Sequence, residues 1–176
     1  MKRIYLPLTK DIRVKLSAGE ELLLCGKLYT ARDAAHKRLY EAVKSNRDLP
    51  IDLSDNVLYY CGPTPAKPGT VIGSCGPTTS SRMDKFTPVL LEKGLAATIG
   101  KGRRQKEVLQ AIKKYKSVYL VAIGGAGAYL SGRIKRATVV AYKDLGPEAI
   151  YELWVEDFPV IVAVDSKGKN LFQGEI

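Results

Sequence analysis

Residues 76–84 read Gly-Pro-Thr-Thr-Ser-Ser-Arg-Met-Asp, which packs a turn, four hydroxyls and an arginine into one short stretch. Gly76-Pro77 ends the strand-like run 70–75. Thr78, Thr79, Ser80, Ser81 and the freed backbone N–H groups then face one place. The guanidinium of Arg82 matches a carboxylate or phosphate in bidentate geometry. Together these residues make a cradle for a small anion. A helix N-cap for residues 82–93 would explain one of the hydroxyls. It leaves the others, and the arginine, for a ligand.

Three further places carry chemistry. Thr30-Ala31-Arg32-Asp33 fits a capping box, which would place Arg32 in a first helical turn. A cation there opposes the helix dipole, so an anion held by Arg32 explains it better than local stability does. Asp33 and His36 stand three apart and share a helix face, and a carboxylate neighbour would tune His36 for proton transfer. The alternative is a capped helix carrying a surface histidine. Lys101 lies between Gly100 and Gly102, where backbone can approach a ligand and lysine adds a point charge; taken alone, a plain turn with a solvated lysine is the better reading. Gly124-Gly125-Ala126-Gly127 follows a strand and precedes a helix, so a dinucleotide fingerprint has to be weighed. Leu130 occupies the third glycine position, and tight strand-to-helix packing accounts for these glycines instead.

The elements that must position these groups follow from hydrophobic period. Strands are expected over 22–29, 57–61, 70–75, 117–123, 138–142, 150–155 and 159–164. Residues 95–99 form an apolar run. Helices are expected from Thr30 to about residue 45, over 82–93, before Tyr115 and over 128–133. Residues 1–20 mix charge with turn formers, 62–69 form a proline-rich loop, and 165–168 a tight turn. Strands alternate with helices in the middle and cluster at both ends, which indicates mixed α/β layers, with mixed sheets and flanking helices. At 176 residues the chain reads as a single domain, 1–176, large enough to bury a real core.

A net charge of +10 raises the possibility of a basic nucleic-acid-binding module. The lysines and arginines are scattered, however, and suit anionic metabolites or an acidic partner as well. Cys25, Cys61 and Cys75 are odd in number and widely spaced, against a disulfide framework and against a self-contained metal site. The apolar run 118–130 is broken by glycine and too short to span a bilayer, and the N-terminus is no signal peptide; the cytoplasm is the expected compartment.

Four stretches, taken in order, carry a family resemblance. They are Ala31-Arg32-Asp33-Ala34-Ala35-His36-Lys37-Arg38, residues 76–84, Gly100-Lys101-Gly102, and Glu156-Asp157-Phe158-Pro159 through Val164-Asp165. They resemble the beta subunit, or C-terminal domain, of the class I iron–sulfur hydro-lyases, the fumarases and L(+)-tartrate dehydratases. The resemblance implies a swivelling β/β/α domain and a chain that is half an enzyme. It implies an alpha subunit that carries a [4Fe–4S] cluster, with none of this chain's cysteines as a ligand. Carried over by position, Arg32, Arg82 and Lys101 bind carboxylates, Thr79 holds substrate, and Thr78 handles the proton at the carbon next to the leaving hydroxyl. His36 matches a histidine treated as catalytic. With no alpha domain ahead of Met1, the two-subunit form is expected, as an α2β2 assembly. The resemblance leaves fumarate/malate and tartrate both open as the small dicarboxylate substrate.

Overall fold

The computed structural model describes residues 1–173. Its strands are β1 (Lys2–Tyr5), β2 (Glu21–Thr30), β3 (Val57–Tyr59), β4 (Ala97–Gly100), β5 (Val118–Val121), β6 (Ile134–Ala141) and β7 (Ile150–Val164). The helices are α1 (Lys10–Arg13), α2 (Asp33–Lys44), α3 (Thr87–Glu92), α4 (Lys106–Tyr115) and α5 (Gly127–Ser131). The strands form one mixed sheet in the order β1-β2-β3-β4-β5-β7-β6. A further pairing of β2 with β7 closes β2, β3, β4, β5 and β7 into a barrel. The expected α/β class is what the chain adopts.

Period-two alternation explains why the barrel is stable. Val57 and Tyr59 of β3, Ala97 and Ile99 of β4, and Val118 and Leu120 of β5 join Leu22, Leu24, Phe158 and Val162 in one buried cluster. The residues between them, Leu58 and Tyr119, face the other way. There they meet Ala35 and Leu39 of α2, Leu90 and Leu91 of α3, and Val108 and Ile112 of α4. The barrel therefore has its own core, and three helices cover its outer face.

β2 to β5 run parallel, so their carboxyl ends meet at one rim. β7 returns antiparallel to both β5 and β2. It is one strand, not two. Its two halves pair with successive stretches of β2, residues 158–161 with 21–24 and 152–155 with 26–29, across an irregularity, and Asp157 takes a left-handed φ of 50° there. The bulge keeps both halves in register with one partner.

Four other expectations are corrected. Residues 70–75 are a loop, because both edges of β3 are already filled by β2 and β4. The loop instead folds back on Thr64, whose N–H donates to Ser74 O at 3.0 Å while Ser74 N–H donates to Thr64 Oγ1 at 2.8 Å. The helix expected over 82–93 is broken into a 3₁₀ turn, Ser80–Met83, and α3. Pro88, near the start of α3, has no N–H to continue a helix from residue 84. Thr30 is no cap: it ends β2, and its hydroxyl accepts the Tyr151 N–H at 3.1 Å. Residues 2–5, read as part of a turn-rich stretch, form an edge strand parallel to β2. Among the described residues, no helix is long and apolar enough to cross a membrane.

Candidate active site

The segments that leave the rim carry the residues singled out above. Arg32 follows β2, Tyr60 to Gly62 follow β3, Lys101 follows β4, and the glycine turn follows β5. In α/β sheets the crevice at the carboxyl ends of the strands is where ligands bind. The loop 76–84 crosses this rim and is fastened to it by backbone. Thr78 N–H donates to Tyr60 O at 2.7 Å, and Ser80 N–H to Lys101 O at 2.9 Å. Thr79 and Lys101 form an isolated parallel bridge. Thr78, Thr79 and Lys101 are thus one backbone-bonded unit, although more than twenty residues of chain separate the two threonines from Lys101.

Two glycines make that fastening possible. A Cβ on Gly100 would lie 2.0 Å from Ser80 Oγ, so nothing larger fits beneath the loop. A Cβ on Gly127 would lie 2.3 Å from Ser74 Oγ and 3.1 Å from Gly76 N. Cys75 N–H donates to Gly127 O at 3.2 Å. The glycines after β5 therefore serve close packing of α5 against the site loop; what approaches Gly127 is protein backbone. Under the loop, Tyr119 donates its hydroxyl proton to Gly102 O at 2.8 Å, so the buried Ser80 hydroxyl donates to Tyr119 Oη, also at 2.8 Å.

The cations line the same rim. Arg82 is half-exposed and grips Asp33 with a fork, Nε to Oδ1 at 3.0 Å and Nη2 to Oδ2 at 2.8 Å. Arg32 Nε donates to Glu148 Oε1 at 2.6 Å and lies 3.5 Å from Asp33 Oδ2. Asp33 thus stands between the two arginines. Arg32 occupies the N-cap position of α2 without capping it by its side chain. The first-turn N–H of Ala34 is met instead by Glu148 Oε2 at 3.3 Å, a carboxylate more than a hundred residues away. Lys101 is exposed, as is Thr79, while Thr78 is half-buried.

His36 lies beneath this rim and has no exposed surface. Its Nδ1 is 3.0 Å from Arg32 O, in the arrangement of a donor to that carbonyl, and its ring meets Tyr60 edge-on at 5.0 Å. Nε2 has no hydrogen-bond partner among the described residues. Burial, with the nearby Arg104 charge, pushes the imidazole down to about 4, so it is neutral at pH 7. The expected Asp33–His36 pairing does not form, because both oxygens of Asp33 are taken by arginines and the histidine turns inward to the helix backbone.

The support beneath the site was not anticipated. Arg104 and Asp84 form an ion pair with side chains 0% and 1% exposed. Arg104 donates Nε to Asp84 Oδ1 at 2.6 Å and also reaches Thr98 Oγ1, Tyr60 Oη and Thr87 Oγ1. Its guanidinium lies between the Tyr60 and Tyr119 rings, at 5.3 and 4.8 Å from their centroids. Asp84 Oδ2 accepts the Gln105 N–H at 2.7 Å, capping the start of α4. Asp84 closes the motif 76–84, and Arg104 stands three residues past Lys101. The only sequence signal for the pair was its nearness to the two stretches read as candidate anion sites.

The rim suits a small anion and does not suit an iron–sulfur cluster. Among the described residues no group of three His, Cys, Asp or Glu is arranged to hold a metal. Cys61 and Cys75 face each other at 2.8 Å, both buried, and this contact together with burial raises the Cys61 thiol pKa. Cys25 is apart from them, with its thiol against Asp157. Depressions lined by Arg47, Asp48 and Leu49 lie apart from the rim residues.

The chain is similar to known proteins along nearly its whole length. The family model for the Fumarase C-terminus matches residues 2–175. A Methanocaldococcus jannaschii protein with the provisional name L(+)-tartrate dehydratase subunit beta is 41% identical over 98% of this chain and 92% of its own length. The anaerobic class I fumarate hydratase of Escherichia coli K12 is 39% identical over 93% of this chain. Fumarate hydratase 2 of Leishmania major is 38% identical over 92% of it. The chain spans 31% and 29% of those two relatives' lengths. A family model that matches nearly every residue, with a relative 41% identical along almost the whole chain, places the chain in the Fumarase C-terminus family.

Proposed function

We propose that this chain is the beta subunit of a two-subunit class I fumarate hydratase, which hydrates fumarate reversibly to (S)-malate. The carrying observation is the rim itself. Two arginines, a lysine and two threonines are set at the carboxyl ends of parallel strands in a member of this family. A dicarboxylate needs cations at both ends, and the enolate-like charge of the reaction needs one nearby. Arg32, Arg82 and Lys101 supply them. Thr79 holds substrate, and Thr78, fixed through its N–H to Tyr60 O, is the proton-handling hydroxyl. A threonine is a weak base by itself, so a neighbour must activate it in the complete site. His36 supports the site from below, through the carbonyl of Arg32, rather than meeting substrate.

The [4Fe–4S] cluster belongs to an alpha subunit, most simply in an α2β2 complex. It supplies a Lewis acid for the leaving hydroxyl. The reading keeps the cytoplasm as compartment, where reduced thiols and such clusters persist. L(+)-tartrate is the second substrate to test, because the relative matched along most of its own length carries that name. The test is co-expression with the alpha subunit and assay of the purified pair on fumarate, malate and L(+)-tartrate. The pair is expected to be active and the isolated chain inactive and iron-free. Stoichiometric iron on the isolated chain, or an inert pair with its cluster intact, would falsify the reading.

A further inference from the structure

We propose that Asp33 and Glu148 are positioning residues: they hold Arg82 and Arg32 by their Nε edges and leave the opposite ends of both guanidiniums to take the substrate's carboxylates. The inference rests on the reading that these arginines bind a dicarboxylate. Its own support is geometric. Arg82 spends Nε and Nη2 on Asp33, and Arg32 spends Nε on Glu148. A guanidinium has a side-on edge and an end-on edge, and a fork held on one is still able to form a bidentate bond on the other.

Both acids are themselves fixed. Asp33 is the first residue of α2, where a carboxylate is favoured by the helix dipole. Glu148 divides its two oxygens between Arg32 and the Ala34 N–H, so it caps α2 while it anchors the arginine that precedes it. Glu148 ends the 3₁₀ segment Lys143–Glu148, in which Gly146 takes a φ of 58°. That segment is tied to α2 by the Arg38–Asp144 fork and by Arg38 over the Tyr142 ring at 5.2 Å. Gly62 makes room for the arginine: a Cβ there would stand 3.0 Å from Arg32 Cδ. The segment before β7 thus acts as a strap that aims Arg32 across the rim. The quartet Arg82, Asp33, Arg32 and Glu148 is charge-neutral, so what it gives a substrate is direction more than long-range attraction.

The test has two readouts. In the full chain labelled with isotopic arginine, the Arg32 and Arg82 side-chain N–H signals should exchange with water slowly. Asp33→Asn should speed exchange several-fold at Arg82, and Glu148→Gln at Arg32. The buried Arg104 signal should stay unchanged in both, which reports an intact fold. In the complex with the alpha subunit, both variants should lose roughly tenfold to a hundredfold in kcat, with KM moving less. Unchanged exchange at the arginines would overturn the proposal. So would variants with full kcat and a lowered KM, since the acids would then be competitors for the arginines. If the complex shows no hydro-lyase activity at all, the functional reading fails, while the exchange measurement still decides whether the acids hold the arginines.

Discussion

Arg104 and Arg82 each meet an aspartate through a short, well-aligned contact, yet their surroundings are opposite. Arg104 has no exposed side-chain surface, and every contact it makes is internal. Arg82 is 51% exposed, and Asp33 opposite it is 33% exposed. A buried ion pair is costly to break, because whichever charge remains has no water to turn to. An exposed pair contributes little to stability, since water and salt replace the lost partner. The two systems therefore divide the labour. The Arg104–Asp84 pair joins the loop 76–84 to the start of α4 and fixes where Thr78, Thr79 and Lys101 stand. The arginines at the rim stay available to a ligand because little stability depends on them.

The contrast can be broken at several points. Asp84→Ala leaves the Arg104 charge buried and should destabilise the chain by about 3–5 kcal/mol, read by urea unfolding. Next comes pH. His36 has an unfolded value of 6.5 and a folded value of about 4. As pH falls the unfolded chain takes the proton first, so stability is complete above pH 6.5 and is lost as pH drops toward 4. The total is on the order of 3 kcal/mol, from about 1.4 kcal/mol per pH unit. His36→Phe should flatten that part of the pH–stability curve. Gly100→Ala should cost roughly 1–3 kcal/mol, because Ser80 and the loop above must move. Activity of the complex should fall more than this loss of stability explains, and adding Ser80→Ala should recover part of both. The smallest stability effect is expected for Arg82→Ala, within about 0.5 kcal/mol.

Period-two and helical patterns made most of the barrel strands and α2 legible, because each has one buried face that the sequence displays. Residues 70–75 look like a strand by composition, but strand status depends on a free neighbour, and β3 has none. β1 was hidden because an edge strand with one buried residue carries almost no alternation. The candidate site was legible in Arg32, residues 76–84 and Lys101, where unusual residue types sit next to turns. Glu148 and Arg104 were not, nor was the role of Asp84 within its motif, because their meaning lies in long-range pairing that no local spacing encodes. His36 shows the same limit from the other side: its position on the helix could be read, whereas its inward direction is set by packing against Tyr60 and Phe86.

The central claim is that this rim is the substrate-binding half of a hydro-lyase site. Steady-state turnover of fumarate by the complex carrying Arg82→Ala tests it most directly, with subunit assembly and thermal stability measured on the same sample. An assembled, stable complex with its activity abolished is expected. An assembled complex that turns over at the wild-type rate would contradict it.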